Sequence, residues 1–346
     1  MCIRDSAAPV LALDIPTGIH GDSGAVLGSA VRADLTITFV GLKTGLFLGE
    51  APDYCGEVCF AGLDIPASYV SGIAPALRRV DDAMLAAALP RRQRTGHKGD
   101  YGHVLIIGGG EGMPGAVRLA GEAALRTGSG LVSLATHPAH AAMLVASRPE
   151  LMPHGVASPA DLEPLIERAD VVAFGPGLGR SEWAQALFDY VATLALPAVW
   201  DADALNLLAD RPAAMEQRVI TPHPGEAARL LGCTGAAVQA DRPAALDALA
   251  QRFGGTVVLK GAGSLVSAGP VPYLCMAGNP GMGSAGMGDV LTGIVASLIG
   301  QGVPVGDAAA VGVLVHARAG DRAATLGERG LVASDLLAEL RHVANP

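Results

Sequence analysis

Short apolar runs alternate with helical patterns over most of the chain. Runs that are typical of buried parallel strands lie at 103–107, 132–135, 171–174, 219–220 and 256–260, with a further one beginning at 198. Segments with helical spacing or composition lie at 116–127, 181–194, 290–299, 305–326 and 331–342, and 264–268 with 272–276 is typical of a hairpin. Repeated strand–helix units with short loops predict an α/β fold with a mostly parallel sheet and helices on both faces.

The first part of the chain has a different pattern. Apolar runs at 10–15, 35–40 and 57–61 predict three strands with almost no helix between them, which is too little to bury both faces of a sheet. We therefore predict a truncated, Rossmann-like α/β fragment at 1–75. A linker is predicted at 76–96, with a short helix near 80–89 and an arginine-rich loop, and the main domain at 97–346.

Composition excludes several classes of function. The 346 residues are 50% hydrophobic and 16% charged, as in a well-buried α/β enzyme. A net charge of −9 and an aromatic content of 4% argue against a nucleic-acid partner. We expect no membrane span, because no run of 18 apolar residues occurs. Five scattered cysteines without histidines at ligand spacing argue against zinc. Free thiols without a disulfide framework suit a reducing cytoplasm, and the N-terminus has no apolar signal core.

One glycine-rich stretch carries most of the candidate chemistry. Asn279-Pro-Gly-Met-Gly-Ser-Ala-Gly-Met-Gly-Asp289 runs directly into a helical pattern. Free amides at such a helix N-terminus bind phosphate or a developing negative charge. Asp289 would then act as a base towards a hydroxyl held beside the phosphate. The structural alternative is a glycine turn in which Asp289 only caps the helix.

Other strand ends carry further candidates. His223 is held between two prolines in Thr221-Pro-His-Pro-Gly-Glu226, which favours a positioned binding group over a structural histidine. Lys260-Gly-Ala-Gly-Ser264 suits a nucleotide phosphate or ribose, with a surface lysine as the alternative. Asp201 is a weak candidate for organising magnesium. Gly175-Pro-Gly-Leu-Gly179 would let a ligand approach the backbone closely, unless it is only a strand exit.

A dinucleotide-fold interpretation is disfavoured. Gly110-Glu-Gly-Met-Pro-Gly115 matches the glycine fingerprint between a strand and a helix. However, no acidic residue closes the second strand, where Ala135-Thr-His137 stands, and Pro114 removes an amide from the turn. The match is weak evidence in so glycine-rich a chain.

Taken together, these motifs resemble the ADP-dependent NAD(P)H-hydrate dehydratase family, which has a ribokinase-like fold. The resemblance covers about 97–343 and rests on ordered signatures. They are His97-Lys-Gly-Asp-Tyr-Gly102, Met113-Pro-Gly-Ala116, Gly128-Ser-Gly-Leu131, Gly175-Pro-Gly-Leu178, Asp201-Ala-Asp-Ala-Leu205, Thr221-Pro-His-Pro-Gly-Glu226, Asn279-Pro-Gly-Met282 and Gly286-Met-Gly-Asp-Val-Leu-Thr-Gly293. One departure is Gly283-Ser-Ala-Gly286, where the family has Ala-Ser-Gly-Gly, and we expect binding to survive it.

The resemblance implies roles for particular residues. The substrate site would be lined by Ala116, Gly177, His223 and Asp289. The adenine nucleotide would be held by Lys260, Gly261, Ala262, Gly263, Ser264 and Gly288. The implied reaction is dehydration of the S form of NADHX or NADPHX to NADH or NADPH, with ADP and Mg²⁺, giving AMP and phosphate. Family members are commonly homo-oligomers. The alternatives are an ATP-dependent small-molecule kinase of the same fold and a nucleotide-binding regulatory module without turnover.

The N-terminal fragment resembles the last third of the NAD(P)H-hydrate epimerase domain. The resemblance rests on Leu13-Asp-Ile-Pro-Thr-Gly18, Asp22-Ser-Gly-Ala25, Ala33-Asp-Leu-Thr36, Leu42-Lys-Thr-Gly45 and Pro52-Asp-Tyr-Cys-Gly56. It implies that Asp14 contacts substrate and that Thr17, where the family has Ser, helps to hold K⁺. The family's N-terminal substrate loop is missing, so we expect no epimerase activity.

Overall fold

The computed structural model describes residues 8–346, which form two β-sheets with surrounding helices. The strands are β1 (Leu11–Leu13), β2 (Leu35–Phe39), β3 (Glu57–Ala61), β4 (Arg78–Arg79), β5 (His103–Ile107), β6 (Leu131–Thr136), β7 (Met152–Gly155), β8 (Val171–Phe174), β9 (Ala198–Trp200), β10 (Arg218–Ile220), β11 (Thr256–Leu259), β12 (Ser264–Val266) and β13 (Tyr273–Cys275).

The helices connect these strands and cover the larger sheet. They are α1 (Pro52–Cys55), α2 (Ala67–Val70), α3 (Asp82–Ala88), α4 (Pro114–Thr127), α5 (Ala141–Ser147), α6 (Glu163–Ile166), α7 (Glu182–Val191), α8 (Asp203–Asp210), α9 (Pro224–Leu231), α10 (Gly235–Ala240), α11 (Arg242–Phe253), α12 (Met287–Gly300), α13 (Val305–Ala323) and α14 (Ala333–Val343). No helix in residues 8–346 is long and apolar enough to cross a membrane.

The larger sheet confirms the predicted α/β architecture. Its ten strands lie in the order β4-β13-β12-β11-β10-β9-β8-β5-β6-β7. All neighbours pair in parallel except β11 with β12 and β12 with β13, which are antiparallel. The pair β12 and β13 is the predicted hairpin. The edge strand β7 was not predicted, because Pro153 and His154 interrupt its apolar pattern.

Both faces of this sheet are buried, which explains the continuous apolar runs. On β5, Val104 and Ile106 pack into one core with α4, α12 and α13, whereas Leu105 and Ile107 pack into the core on the opposite face. All four side chains are fully buried. Each contributes roughly 1.5–3 kcal/mol on removal from water, so neither layer of helices is dispensable.

The N-terminal fragment forms the smaller sheet, with parallel strands in the order β1-β2-β3. All three strands were predicted. The segment 41–56, predicted as a loop, also contains α1 and a short 3-10 helix at Thr44–Leu46. This sheet leaves large apolar side chains in solvent, with Leu13 66% and Phe60 54% exposed. The strand register places these two side chains on opposite faces, so each face of the smaller sheet is partly open to solvent.

The segment predicted as a linker contributes to the larger sheet. Arg78 and Arg79 form β4, which pairs in parallel with β13. Val80 and Leu85 are buried in the core that contains α13, and α3 matches the predicted helix. The boundaries 1–75, 76–96 and 97–346 stay a prediction, but the middle segment is structurally part of the domain that follows it.

The close approach of α12 to α4 depends on Gly293. A Cβ added at Gly293 would lie 2.0 Å from the backbone oxygen of Ala120. Gly293→Ala forces the helices apart, and we expect it to lower the free energy of unfolding by about 1–3 kcal/mol. Urea denaturation measures this change. Gly115→Ala is the matched control, because an added Cβ in the first turn of α4 meets nothing within 4 Å. Equal stabilities of the two variants would contradict the interpretation.

Candidate active site

The loops that follow β8, β9, β10 and β11 meet the N-terminus of α12 at the carboxyl edge of the larger sheet. Gly175, directly after β8, lies so close to β9 that an added Cβ would be 1.9 Å from the Asp201 carbonyl oxygen. Crossovers between parallel strands place such loops at one edge. The predicted motifs at 175–179, 221–226 and 260–264 are therefore brought to the same edge.

Helix α12 begins as the glycine-rich stretch predicted. Gly286 occupies the N-cap with φ of +87°, which favours glycine, and no side chain of the described residues caps the helix. The first-turn amides therefore remain available to an anion. Asp289 is the third residue of the helix. Burial and the nearby Asp201 carboxylate raise the pKa of Asp289 to about 7.

A buried ion pair lies beneath this helix end. The Lys260 ammonium donates to Asp201 Oδ1 at 2.7 Å, and Thr292 Oγ1 donates to Asp201 Oδ2 at 3.0 Å. Burial alone raises the pKa of Asp201. The Lys260 charge and hydrogen bond, with hydrogen bonds from Thr221 and the Ala202 amide, outweigh burial and lower the pKa below its usual value. Asp201 is therefore ionised at neutral pH and forms an ion pair with the Lys260 ammonium.

Glu226 is a second carboxyl group near this lysine. Its Oε2 lies 3.8 Å from Lys260 Nζ and accepts a 2.8 Å hydrogen bond from the His223 amide. Burial raises the pKa of Glu226 to about 7, against the opposing charge of Lys260. Two carboxyl groups, Glu226 and Asp289, thus titrate near neutral pH beside one cation, an arrangement suited to proton transfer.

His223 caps α9 and remains partly exposed. Its Nδ1 accepts hydrogen bonds from the Gly225 amide at 3.0 Å and the Glu226 amide at 3.4 Å. Burial and the Lys260 charge lower the pKa of His223, so the ring is neutral at pH 7. The capping bonds leave Nε2 as the ring nitrogen available to a ligand.

Gly288 covers the ion pair and has no room for a side chain. An added Cβ would lie 3.0 Å from Asp201 Oδ2 and 3.2 Å from Lys260 Nζ. The backbone of α12 can therefore approach the Lys260 charge closely. The structure brings together the predicted residues Lys260, Gly288 and Asp289.

The loop 261–264 is fixed from below by a residue that the sequence did not single out. Arg242 is 3% exposed and donates to the carbonyl oxygens of Leu259 and Gly263, each at 3.1 Å. Burial lowers its pKa to about 10, which leaves it charged at neutral pH. Within the loop, Ser264 Oγ donates to the Gly261 carbonyl at 3.0 Å.

Ala116 and Gly177 meet at the neighbouring part of the edge. A Cβ added at Gly177 would lie 3.0 Å from Ala116 Cβ and 2.8 Å from the Met113 carbonyl oxygen. The Gly110 amide donates to the Gly177 carbonyl at 2.7 Å, which joins the loops after β5 and β8. These two predicted residues thus form a separate, close-packed backbone surface.

Sequence reasoning missed several residues of the charged cluster. No role was predicted for Glu226 from the sequence, although its position three residues after His223 indicates that the two residues can meet at the helix N-terminus. Thr292 lies one helical turn after Asp289. His316 lies on α13, where nothing in the pattern distinguishes it. Burial lowers the pKa of His316 to about 4, and its Nε2 has no hydrogen-bond partner within 8–346.

Asp14 and Thr17 of the N-terminal fragment lie on the smaller sheet and the turn after β1. Asp14 Oδ1 forms an ion pair with Lys43 and accepts from the Phe39 amide at 3.1 Å. The hydrogen bond from Lys43 is the main cause of a lowered pKa at Asp14. Thr17 is exposed. Lysine thus supplies the cation at Asp14, and K⁺ binding stays a prediction.

The described residues contain no group of three or more His, Cys, Asp or Glu side chains that is arranged to hold a metal ion. The carboxylate oxygens of Asp201 already accept from Lys260 and Thr292. A magnesium ion at this edge would need ligands from a bound nucleotide and water, as Mg²⁺ commonly has.

Comparisons of the sequence with known proteins identify the family of the chain. A model of the NAD(P)H-hydrate dehydratase family matches residues 104–342, and a YjeF-related N-terminal model matches 1–45. The bifunctional NAD(P)H-hydrate repair enzyme of Coxiella burnetii is 49% identical over 99% of this chain and 71% of its own length. The Escherichia coli K12 enzyme of the same description is 47% identical over 98% of this chain and 66% of its own.

Solved structures confirm the predicted ribokinase-like fold. A ribokinase-like superfamily protein from Enterococcus faecalis is 27% identical, with a TM-score of 0.73 over 79% of this chain and 99% of its own. An ADP/ATP-dependent NAD(P)H-hydrate dehydratase from Bacillus subtilis, co-crystallised with ATP/Mg²⁺, is also 27% identical. It has a TM-score of 0.68 and covers 78% of this chain and 98% of its own.

The ion pair of Lys260 and Asp201 yields a stability prediction. Lys260→Met leaves the Asp201 carboxylate buried without its cation, and we expect a loss of about 3–5 kcal/mol in the free energy of unfolding. Adding Asp201→Asn removes that uncompensated charge and restores about 1–3 kcal/mol. Urea denaturation of the two variants measures both values. A double variant less stable than Lys260→Met would contradict this interpretation.

Asp289 yields a pH prediction. Its pKa rises from an ordinary value of 3.8 to about 7 in the folded chain, so its contribution to stability is present below pH ~4 and is lost as the pH rises through 7. Asp289→Asn should therefore stabilise the protein by about 2–3 kcal/mol more at pH 8 than at pH 5. Denaturation at both pH values measures the difference. Asp307→Asn, at an exposed position outside the charged cluster, is the matched control for the substitution.

Proposed function

The chain belongs to the NAD(P)H-hydrate dehydratase family, and we propose that it converts the S form of NADHX or NADPHX back to NADH or NADPH with ADP as phosphoryl donor. The substrate carries water added across the C5–C6 double bond of the nicotinamide ring. Hydroxide is a poor leaving group, whereas phosphate is a good one. A transferred phosphoryl group therefore makes the elimination feasible.

The position of Asp289 is the main support for this reaction. It stands in the first turn of a helix without a side-chain cap, beside Lys260, and its pKa of about 7 suits a general base at neutral pH. In the proposed reaction, Asp289 takes the proton of the substrate hydroxyl. The hydroxyl oxygen bonds to the terminal phosphorus of ADP, and the bond between that phosphorus and AMP breaks.

The surrounding residues supply charge stabilisation in this proposal. The amides from Gly286 to Gly288 and the Lys260 ammonium face the transferring phosphate, where negative charge is spread over its oxygens. The loop Gly261, Ala262, Gly263 and Ser264, fixed by Arg242, holds the adenine nucleotide. The ring then loses its C5 proton to solvent, and the C6–O bond breaks with release of phosphate. This elimination restores the C5–C6 double bond of the reduced nicotinamide.

The substrate residues fall into two groups, because Ala116 and Gly177 lie together whereas His223 lies beside Glu226 and Lys260. Ala116 and Gly177 supply a surface without large side chains against which the dinucleotide lies, and His223 offers Nε2 to a polar group of the substrate. Magnesium arrives on the nucleotide phosphates, because the described protein residues form no cage for it. A homo-oligomer and a cytoplasmic location remain part of the proposal.

A direct assay tests the reaction. The purified chain is incubated with S-NADHX and Mg²⁺, with ADP, ATP or no nucleotide, and the return of reduced-nicotinamide absorbance is followed. We expect recovery with ADP and none without nucleotide. Phosphorylation of some other alcohol by ATP, without recovery of NADH, would support a kinase instead. The same assay with the R epimer measures the predicted loss of epimerase activity.

Asp289→Asn tests the assigned base. The substitution keeps size and removes proton acceptance, and we expect turnover to fall about 10²–10⁴-fold while ADP binding, followed by calorimetry, remains within a few-fold. In the unsubstituted chain, kcat should rise with pH through about 7, because the base acts only when deprotonated. Asp307→Asn serves as the control. Near-normal turnover of Asp289→Asn would remove Asp289 from the mechanism.

A further inference from the structure

A cavity lies along the same sheet edge, beyond Ala116 and Gly177. It measures about 270 Å³. Its lining residues are Glu111, Met113, His137, Leu178, Gly179, Arg180, Ser181 and Trp183. It adjoins the predicted substrate surface, because Met113 lines the cavity and also lies against Gly177. None of the residues assigned above to ADP or to the transfer step lines this cavity.

The cavity has a rigid aromatic wall. Trp183 and His137 meet edge to face, with ring centroids 5.8 Å apart. The Trp183 indole donates to the Val156 carbonyl at 2.8 Å, which fixes the ring. Fixed aromatic rings are suited to a planar heterocycle, and adenine is the planar group at the far end of the proposed substrate.

The cavity extends along the sheet edge from the loop after β8 to the loop after β6. His137 follows β6, and Asp201 follows β9, three strands away in the order β9-β8-β5-β6. At about 4.8 Å between strands, this separation is roughly 14 Å. In the proposed function, ADP lies over the loop after β11. The adenosine half of the substrate must therefore extend the other way, towards β6.

Two opposite charges line this cavity, Glu111 and Arg180. Both residues are exposed, and neither forms a salt bridge within residues 8–346. In dinucleotide sites, a carboxylate accepts a hydrogen bond from the ribose 2′-hydroxyl, whereas an arginine binds a 2′-phosphate. One cavity thus offers a group for each form of the substrate.

We infer that this cavity binds the adenosine half of the dinucleotide, and that Glu111 and Arg180 allow both NADHX and NADPHX to be used. Glu111 accepts from the 2′-hydroxyl of the unphosphorylated form. Arg180 binds the 2′-phosphate of the other form. The inference rests on the proposed function, because that function places the nicotinamide end at Asp289.

The test compares two variants on two substrates. Arg180→Met loses the partner of the phosphate, so KM for S-NADPHX should rise roughly ten- to a hundredfold, while KM for S-NADHX stays within twofold. Glu111→Gln should raise KM for S-NADHX severalfold and leave KM for S-NADPHX unchanged or lower. Neither change should alter kcat, because neither residue takes part in the proposed transfer step. Arg91→Met, exposed on the loop after α3, is the matched control.

Binding measurements separate this inference from the reaction. Affinities for NADPH and NADH, followed by nicotinamide fluorescence, should show the same pattern in the two variants without any turnover. Equal effects on both dinucleotides, or no effect on either, would overturn the inference even if the dehydratase assay succeeds. Selective effects on binding in a chain without turnover would instead leave the cavity assigned and reject the proposed reaction.

Discussion

One partly buried lysine determines the electrostatics of the site. Lys260 is paired with Asp201, and its charge also acts on Glu226 and Asp289. A single cation cannot hold three carboxylates ionised in a buried place, so one of them takes the low pKa and the other two are raised to about 7. The proton-accepting capacity at neutral pH follows from burial, which the charge of Lys260 outweighs only at Asp201.

The backbone next to Lys260 must carry no side chains if the lysine charge is to reach a group bound above it. Gly288 lets the backbone of α12 lie close over the ion pair, and Gly175 lets the ends of β8 and β9 approach each other. Arg242 donates to the carbonyl oxygens of Leu259 and Gly263, so the loop that is proposed to hold the nucleotide is fixed by a buried charge. Electrostatics and close backbone packing are therefore parts of one arrangement.

Much of this arrangement was predictable because it is local in sequence. The strand runs, the glycine stretch before Asp289 and the proline-held His223 are each visible within about ten residues. Arg242 and His316 were not predictable, since each lies on a helix and reaches the site only through tertiary packing. The edge strands β4 and β7 were missed for a related reason: one has two residues, and the other contains Pro153.

The pairing of β4 with β13 affects how the two halves of the chain are divided. Residues that join one module to another usually tolerate changes of length and composition. Here, removing or lengthening the stretch around Arg78 would uncover the hydrogen-bonding edge of β13 and withdraw Val80 and Leu85 from a core. A recombination event that transfers the larger sheet to another protein must therefore carry this stretch with it. A division of the chain made after Arg79 would separate β4 from the sheet to which it belongs.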